Sequence, residues 1–591
     1  MTALDRTAAA GSDQADHPVT GWSGRVDPST PPDIAPTGRT YPGARRPDRS
    51  WWVDVGGLRL AAYEWGDPEA PVIFMAHGGF DFAGTLDAFA PLLVEAGWRC
   101  VSWDARGHGS SEHAVLYSWA ADTRDALAVL DTVTNEPVVL LGHSKGGGLV
   151  LDLAHSAPHR VSHLVNLDGL PSRNNWPDLA DHDRTRMLHG ELTGWLEHRR
   201  RVADAARKPG TLEDLAARRA RMNPRLPPEW LEYLVPIGAW EADDGWRWKI
   251  DPSLRMGGFG PWRPEWSMQR LPGIGAPVLG VLGLDIEMMG WGTRPEDVLP
   301  NLPANGRFEA LPGVGHFVHI EQPELVADLV LDFLGDPPVT GGGRAAAAPS
   351  TVGRHVGQPT DTTDDGPATS AGPDAPPITW LTHGRSRLAL HTLRTGEGRP
   401  LLLLGGLGER TPTEVPPVAA AWAGPVVALD VTGHGASSLA PGGGYTAEVL
   451  MADVDAALAH LGPVTILGRG LGAYLALLAA GGRPDLVRGA ILTDGPGLVG
   501  GGIRPGSPSI PTLAPHDGST PDPLVLLEMS RDVRPTDYAV EYVRLANEWS
   551  GLEHPIAVCT VVRPEWLTAV ADQPGVLDTT GPQAVGLYSA A

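Results

Sequence analysis

The sequence has few cysteines, few basic residues and no long apolar run, and each shortage excludes a class of protein. Cys100 and Cys559 are the only cysteines among 591 residues, and both lie in apolar runs. Such cysteines are predicted to be buried thiols, not members of a disulfide framework or a zinc site. The sequence therefore favours a reducing, cytoplasmic setting, and we expect neither a metal nor a cofactor.

The charge balance is acidic. The chain has 46 lysines and arginines against 70 aspartates and glutamates, a formal net charge of −24 at pH 7. This balance disfavours nucleic acids and anionic membranes as general partners. No stretch reaches 18 uninterrupted apolar residues, and the first 50 residues lack an apolar core behind a basic start. We therefore expect no membrane span and no export signal.

The chain does contain enough apolar side chains for globular domains, since 42% of its residues are hydrophobic and 20% are charged. Two stretches are rich in glycine, proline and small polar residues without periodicity. Residues 1–50 are predicted to be a disordered tail, and residues 336–377 a flexible linker. Two folded units remain, 51–335 and 378–591.

Both units alternate short β-branched or leucine-rich runs with helical patterns. This alternation predicts an α/β fold with a doubly wound, mostly parallel sheet in each unit. In the first unit the helical patterns cover 120–133 and 325–334. The predicted strands of that unit are 72–76, 100–103, 138–141, 161–167, 278–282 and 307–311.

The two units repeat each other in sequence. The segment DARGHGSS, which begins at Asp104, returns as DVTGHGASS from Asp430. Forty positions separate Asp104 from Ser144 and Asp430 from Gly470, and an aspartate follows 24 positions later in both units. Equal spacings of this kind predict a tandem duplication of one fold.

A serine in a tight turn is the clearest chemical motif. The pentapeptide Gly142-His143-Ser144-Lys145-Gly146 lies between a buried strand and a helical stretch. A strand, a sharp glycine-flanked turn and a helix lift a serine hydroxyl out of the sheet edge. Serine is a poor nucleophile at neutral pH, so the motif calls for a base and for an acid that orients the base.

Candidates for both partners follow in the order Ser, acid, His. Asp285 ends a predicted strand, and His316 lies in a glycine loop after the next strand. With these motifs in this order, the first unit resembles the α/β-hydrolase superfamily. The resemblance implies that Ser144 is the nucleophile, His316 the general base and acid, and Asp285 the orienting carboxylate.

The resemblance also implies an oxyanion hole made of two backbone N–H groups. One belongs to Lys145, the residue after the serine. The other is assigned to Gly79 in the turn His77-Gly-Gly-Phe, with Phe80 as the alternative.

Two other acids remain alternatives to Asp285. Asp168 also ends a strand, but its counterpart Asp494 occurs in a unit without the other catalytic residues, which favours a structural capping role for both. Glu287 lies two residues beyond Asp285 and is the lesser alternative.

An insertion at about residues 170–269 occupies the place where α/β-hydrolases carry a helical cap. A tryptophan-rich cap is typical of a pocket for an apolar acyl or aromatic substrate, although packing explains any one tryptophan as well. Arginines at 199–201, 218, 219 and 221 are interpreted as solvated helix faces. The tryptophans are Trp230, Trp240, Trp246, Trp248, Trp262 and Trp266.

The second unit lacks the catalytic residues. Gly470 occupies the nucleophile position, Arg563 corresponds to Asp285, and the position of His316 projects to three residues beyond the last residue. We therefore expect a degenerate, non-catalytic copy with a structural or regulatory role, in intramolecular contact with the first unit.

Together these features predict a serine hydrolase that cleaves a carboxylic ester or related acyl bond of a small molecule through an acyl-enzyme. Thioester, amide or carbon–carbon bond hydrolysis and perhydrolysis are alternative chemistries for the same residues. A non-catalytic binding or scaffold protein built on two α/β-hydrolase folds is the rival hypothesis.

Overall fold

The structure is a computed structural model. It describes residues 26–170, 181–202, 206–254, 270–338, 376–498, 519–530 and 536–590. Each unit contains one eight-stranded, mostly parallel sheet with helices packed on it. The predicted α/β class with two doubly wound sheets is confirmed.

In the first unit, two antiparallel strands precede a parallel sheet. The strands are β1 (Arg49–Asp54), β2 (Arg59–Trp65), β3 (Val72–Ala76), β4 (Arg99–Trp103), β5 (Val138–His143), β6 (Val161–Leu167), β7 (Ala239–Ala242), β8 (Gly245–Trp248), β9 (Val278–Gly283) and β10 (Gly306–Leu311). The sheet order is β1-β2-β4-β3-β5-β6-β9-β10, and β7 and β8 form a separate hairpin. All six predicted strands occur, whereas β1 and β2 were not predicted.

The second unit repeats this order strand for strand. Its strands are β11 (Ile378–His383), β12 (Ser386–Arg394), β13 (Leu401–Leu404), β14 (Val426–Asp430), β15 (Val464–Arg469), β16 (Val487–Thr493), β17 (Ile556–Cys559) and β18 (Val576–Asp578). The sheet order is β11-β12-β14-β13-β15-β16-β17-β18. In both sheets the first two neighbour pairs are antiparallel and the others parallel. The predicted duplication is therefore visible in the topology.

Helices cover both faces of each sheet. Those of the first unit are α1 (Ala90–Glu95), α2 (Trp119–Val133), α3 (Lys145–Ser156), α4 (Asp181–Val202), α5 (Leu212–Met222), α6 (Pro228–Gly238), α7 (Pro295–Val298), α8 (Val318–Glu321) and α9 (Pro323–Leu334). Those of the second unit are α10 (Ala447–Leu461), α11 (Leu471–Gly482), α12 (Pro523–Ser530), α13 (Thr536–Trp549), α14 (Glu565–Ala571) and α15 (Gly581–Ala590).

The central strands of the first sheet are buried on both sides. Every residue of β5 is buried. Its side chains alternate between two apolar clusters, with Leu140 in the cluster under α2 and α3 and Leu141 in the cluster under α1 and α9. Side chains in a strand point alternately to opposite faces, so this continuous apolar run is what a strand covered on both faces requires.

The cap comprises α4, α5, α6 and the β7–β8 hairpin. Helix α5 begins at a capping box, in which the Thr211 hydroxyl accepts from the Asp214 N–H and the Asp214 carboxylate accepts from the Thr211 N–H. Helix α4 packs on the second unit, where Leu192, Trp195 and Leu196 belong to the main apolar cluster of that unit. The cap therefore contacts both units.

The predicted boundary of the N-terminal tail is corrected. Residues 1–25 lie outside the described residues, but residues 26–50 pack on the first unit. Trp52 Nε1 donates to the Thr30 carbonyl oxygen at 2.7 Å, and Ser50 Oγ donates to the Pro32 carbonyl oxygen at 2.6 Å. These contacts satisfy polar groups of an edge strand, a role that composition does not reveal.

Most of the predicted linker, residues 339–375, lies outside the described residues. Within the described ranges no helix combines the length and the hydropathy that crossing a bilayer requires.

Candidate active site

Ser144 lies in the sharp turn between β5 and α3. Its φ is 53° and its ψ is −119°, a conformation that residues with a side chain seldom adopt. A Cβ on Gly142 would lie 2.2 Å from the Gly146 carbonyl oxygen, and a Cβ on Gly146 would lie 2.3 Å from the Ala76 carbonyl oxygen. The two flanking glycines therefore allow the close approach of strand and helix that the turn requires.

His316 connects Ser144 to a carboxylate. Its Nε2 lies 2.9 Å from Ser144 Oγ, and its Nδ1 lies 2.9 Å from Asp168 Oδ2. Asp168 follows β6 and His316 follows β10, so loops at the carboxyl edge of the sheet bring the three side chains together. The side chains of His316 and Asp168 are 2% and 8% exposed. The hydrogen-bonded chain is therefore sheltered from water.

The prediction that Asp285 orients His316 is wrong. The Asp285 carboxylate is 43% exposed and pairs with Arg225 Nη1 at 2.9 Å. Its backbone N–H donates to the Val314 carbonyl oxygen, and the loop after β9 directs the side chain to Arg225. Asp168 is the carboxylate that reaches the imidazole. The capping interpretation holds only for Asp494, whose carboxylate accepts from the Val561 and Val562 N–H groups.

The Val561 and Val562 nitrogens lie 2.8 and 3.1 Å from the carboxylate oxygens of Asp494. Asp494 therefore fixes the loop after β17, as a structural residue would.

Glu287, the other alternative acid, contacts the backbone of His316 and not its ring. Glu287 Oε2 accepts from the His316 N–H at 2.8 Å, and the Glu321 carboxylate accepts from the neighbouring Gly315 N–H at 3.0 Å. Burial raises the pKa of Glu287. These two glutamates hold the loop that carries the histidine, so their contribution is to its position.

The protonation of the site follows from its burial. Loss of solvation is the largest cause of two pKa shifts, which lower the pKa of His316 to about 4 and raise that of Asp168 to about 8. Burial thus disfavours charge on both groups and holds His316 as a neutral imidazole at neutral pH. A neutral imidazole with Nδ1–H directed to Asp168 presents a lone pair on Nε2 to the serine hydroxyl, which is the state that a general base needs.

The backbone N–H groups of Gly79 and Lys145 stay the predicted oxyanion hole, and the elements that carry them can be described. Lys145 is the first residue of α3, so its N–H has no acceptor within the helix. Gly79 lies three residues after the end of β3. The Phe80 N–H, the alternative donor, is already bonded to His108 Nε2 at 3.2 Å, which favours Gly79 over Phe80.

The second unit contains a matching pair of donors. Leu471 follows Gly470 as Lys145 follows Ser144, and Leu407 lies three residues after β13 as Gly79 does after β3. Both N–H groups donate to one atom, the Pro496 carbonyl oxygen, at 2.9 Å each. The two positions therefore converge on a single oxygen, which is the geometry that an oxyanion hole requires.

Gly470 preserves the backbone of the serine turn without a side chain. Its φ of 50° and ψ of −112° match those of Ser144. A Cβ there would lie only 2.1 Å from the Pro496 carbonyl oxygen. In the first unit the carbonyl at the corresponding position, that of Leu170, accepts from the Thr293 hydroxyl instead. In the second unit the Pro496 carbonyl therefore fills the space in front of the turn.

The cap reaches the loop of residues 77–81 after β3, named the oxyanion loop for its predicted role, through Arg219 of α5. The guanidinium forms a buried ion pair with Asp81 and donates from Nη1 to the Phe80 carbonyl oxygen at 3.3 Å. It also lies 5.6 Å from the ring centroid of Phe317, which follows His316. Arg219 was interpreted as a solvated residue, and this is corrected: it joins the cap to both loops of the site.

Other cap residues that the sequence singled out serve packing and domain contact. Trp230 is fully buried, stacked on Tyr233 and edge-on to Tyr41. Arg199 and Arg200 contact the second unit and are not simply solvated. Trp262 and Trp266 lie outside the described residues.

Asp81 and Glu321 are the site residues that sequence reasoning missed. Asp81 directly follows the His-Gly-Gly-Phe turn, so its place in the motif was visible in the sequence, but its partner lies 138 positions away. Within the described ranges, no cluster of three or more His, Cys, Asp or Glu side chains is arranged to hold a metal ion.

Comparison with known proteins agrees with the fold and the motifs. The family model of serine aminopeptidase S33 matches residues 67–169, and that of the alpha/beta hydrolase family matches residues 401–590. The mouse sn-1-specific diacylglycerol lipase ABHD11 is 27% identical over 270 residues, 46% of this chain and 82% of its own. Epoxide hydrolase A of Mycobacterium tuberculosis is 27% identical over 310 residues, 48% of this chain and 96% of its own.

Among solved structures, a thioesterase domain from the curacin biosynthetic pathway aligns with a TM-score of 0.41 and 23% identity. The alignment covers 48% of this chain and 99% of that domain. With two matched family models in tandem on two sheets of one topology, the chain belongs to the α/β-hydrolase superfamily.

Proposed function

We propose that the first unit is a serine hydrolase that cleaves a carboxylic ester or a related acyl bond through an acyl-enzyme. The observation that carries this proposal is the chain of two 2.9 Å contacts from Ser144 Oγ through His316 to Asp168. It lies in the turn that this superfamily uses for a nucleophile.

The geometry supports a two-stage reaction. His316 Nε2 takes the Ser144 Oγ proton as Oγ bonds to the acyl carbon, and the carbonyl oxygen becomes an oxyanion facing the Gly79 and Lys145 N–H groups. The imidazolium then gives its proton to the departing alkoxide, which leaves an acyl-serine. Water, deprotonated by the same imidazole, releases the acid and restores Ser144 Oγ–H.

The names of the relatives limit the choice of chemistry. A diacylglycerol lipase is among them, which supports acyl transfer. Epoxide hydrolysis by an alkyl-enzyme is disfavoured, because a serine and not an aspartate occupies the turn. Amide or carbon–carbon bond cleavage and perhydrolysis use the same residues and remain alternatives for a small, apolar acyl or aromatic substrate.

For the second unit we propose a supporting role within an intramolecular pseudo-dimer. Contacts that cross between the units support it, for example Arg200 Nε to Asp455 Oδ2 at 2.8 Å and Arg106 Nη2 to the Gly442 carbonyl oxygen at 2.9 Å. A cytoplasmic location stays a prediction from the two unpaired cysteines.

Labelling with a fluorophosphonate tests the hydrolase against the scaffold hypothesis. We expect wild-type protein to be modified once per chain and Ser144→Ala to remain unmodified, because Ser144 is the activated hydroxyl. Labelling of neither protein would support a non-catalytic scaffold. Turnover of p-nitrophenyl esters of increasing acyl length then ranks substrates.

A further inference from the structure

A fully buried carboxylate lies where the cap returns to the first sheet. Asp251, just after β8, is 0% exposed. Within its own unit it accepts from the Tyr117 hydroxyl, and from the Ser253 N–H and hydroxyl at 2.9 and 2.8 Å. Neutral donors alone do not offset the cost of burying a full negative charge.

The compensating charge comes from the other unit. Arg385, in the turn between β11 and β12, donates two hydrogen bonds of 2.6 and 3.0 Å to the Asp251 carboxylate. Its Nη1 also donates to the Ala114 carbonyl oxygen at 2.8 Å. Burial alone raises the pKa of Asp251, but the hydrogen bonds and charge of Arg385 outweigh it and lower the pKa to about 2.

The second unit has the same carboxylate in its own fold. Asp522 accepts from the Tyr445 hydroxyl at 2.5 Å and donates its N–H to the Gly433 carbonyl oxygen at 2.9 Å. Asp251 likewise donates its N–H to the Gly107 carbonyl oxygen at 2.8 Å. The tyrosine–aspartate pair therefore belongs to the duplicated fold. Only the pair of the first unit is also bound by Arg385, a charged residue of the second unit.

Two short routes lead from Asp251 to the oxyanion loop. Its carbonyl oxygen accepts from Arg207 Nη2 at 2.8 Å, and that guanidinium lies 5.9 Å from the ring centroid of Phe80. On the other side, Gly107 precedes His108, whose Nε2 accepts from the Phe80 N–H at 3.2 Å. Both routes end at Phe80, the neighbour of Gly79.

We propose that Arg385 of the second unit is a positioning residue for the first unit's active site, because it compensates the buried charge of Asp251 and so keeps in place the loop that carries the Gly79 N–H. This inference rests on the proposed hydrolase function. It assigns the non-catalytic unit a defined contribution to catalysis, made without contact to the substrate.

The test replaces the charge in the full chain. We expect Arg385→Met to lower kcat for a p-nitrophenyl ester by on the order of 10²-fold with KM little changed, because a displaced oxyanion donor acts on the transition state. Arg387→Met is the matched control. Arg387 lies on the same hairpin, over Trp380, and its variant is expected to keep wild-type kcat.

A second variant separates positioning from folding. In Asp251→Asn/Arg385→Met no charge is left uncompensated, so we expect kcat to return to within about tenfold of wild type. For Arg385→Met alone, the ratio of its kcat to that of wild type is expected to rise as the pH falls, because protonation neutralises Asp251. The titratable and charged groups that face Asp251 are Arg385, His113, Tyr117, Arg199, Arg207 and His108.

The outcomes are distinct. A wild type without labelling or turnover contradicts the proposed function itself. An active wild type with an equally active Arg385→Met contradicts the positioning role alone. If Arg385→Met does not fold, the double variant decides, and a kcat 10²-fold below wild type in a folded double variant overturns the inference.

Discussion

Asp168 holds the imidazole of His316 through one hydrogen bond to Nδ1. That bond selects the tautomer in which Nε2 is free to accept the Ser144 proton. The chemistry proposed for this chain therefore depends on an acid at the end of β6 and not on one at the end of β9.

Replacing each acid by its amide tests this assignment. We expect Asp168→Asn to lower kcat on the order of 10⁴-fold, because an amide that donates to Nδ1 favours the wrong tautomer. Asp285→Asn is the matched control. It removes only an exposed ion pair with Arg225 and is expected to leave kcat within a few-fold of wild type. The reverse ranking of the two variants would contradict the assignment.

The residues of the site differ in how far sequence could predict them. Ser144 was predictable from a local sequence pattern, and His316 from its position in the loop after the last predicted strand. Asp168 and Asp285 both end strands of the same sheet, and sequence does not indicate which carboxylate the histidine faces. That choice depends on the loop after β9, where Asp285 turns outward to Arg225.

At the scale of elements, the strand–turn–helix unit occurs twice with one backbone geometry. In the first unit the turn carries a hydroxyl, and in the second the loop after β16 occupies that space. The second turn is thus a packed structural element whose glycine is required by its surroundings.

Gly470→Ser is therefore expected to destabilise the protein and to create no nucleophile. Its Cβ would overlap the Pro496 carbonyl oxygen, and overpacking of this kind costs about 1–3 kcal/mol. Urea denaturation measures the loss. Gly586→Ser is the control, because a Cβ there meets open space. Unchanged stability of Gly470→Ser, or fluorophosphonate labelling of Ser144→Ala/Gly470→Ser, would show that the turn is open.

The parallel strands were predictable because each is a short apolar run bounded by turn residues. Strands β1 and β2 were not predicted, because both mix charged and aromatic residues with apolar ones, and β1 lies at the edge of the sheet. The cap was expected to be helical, yet Trp240, Trp246 and Trp248 lie in or at the ends of a β-hairpin. Tryptophan favours strands as readily as it fills pockets, so its density alone did not settle the secondary structure.

At the scale of the whole molecule, arginines of each unit donate hydrogen bonds to oxygens of the other unit. Arg106 and Arg124 of the first unit donate to carbonyl oxygens at 442 and 443, and Arg385 of the second donates to Asp251. Such contacts join residues more than 130 positions apart, and no local pattern in the sequence indicates them.

Separating the units is expected to weaken the first one. Residues 26–338 expressed alone would expose Leu192, Trp195 and Leu196 and leave Asp251 without its arginine. We expect a Tm lower by at least ~10 °C and reduced ester turnover, since each apolar side chain contributes about 1.5–3 kcal/mol. The control is the full chain cleaved at a protease site inserted within 339–375, which keeps both units together. A fragment with the Tm and turnover of the full chain would contradict the pseudo-dimer.

The Pro496 carbonyl in the second unit has a consequence for any attempt to give that unit a nucleophile. The Leu407 and Leu471 N–H groups already have a permanent acceptor in the loop after β16, so no ligand is needed to satisfy them. A serine at 470 would meet that oxygen, so the loop would have to withdraw at the same time. A single substitution therefore does not convert this turn, and a design would have to change the turn and the loop together.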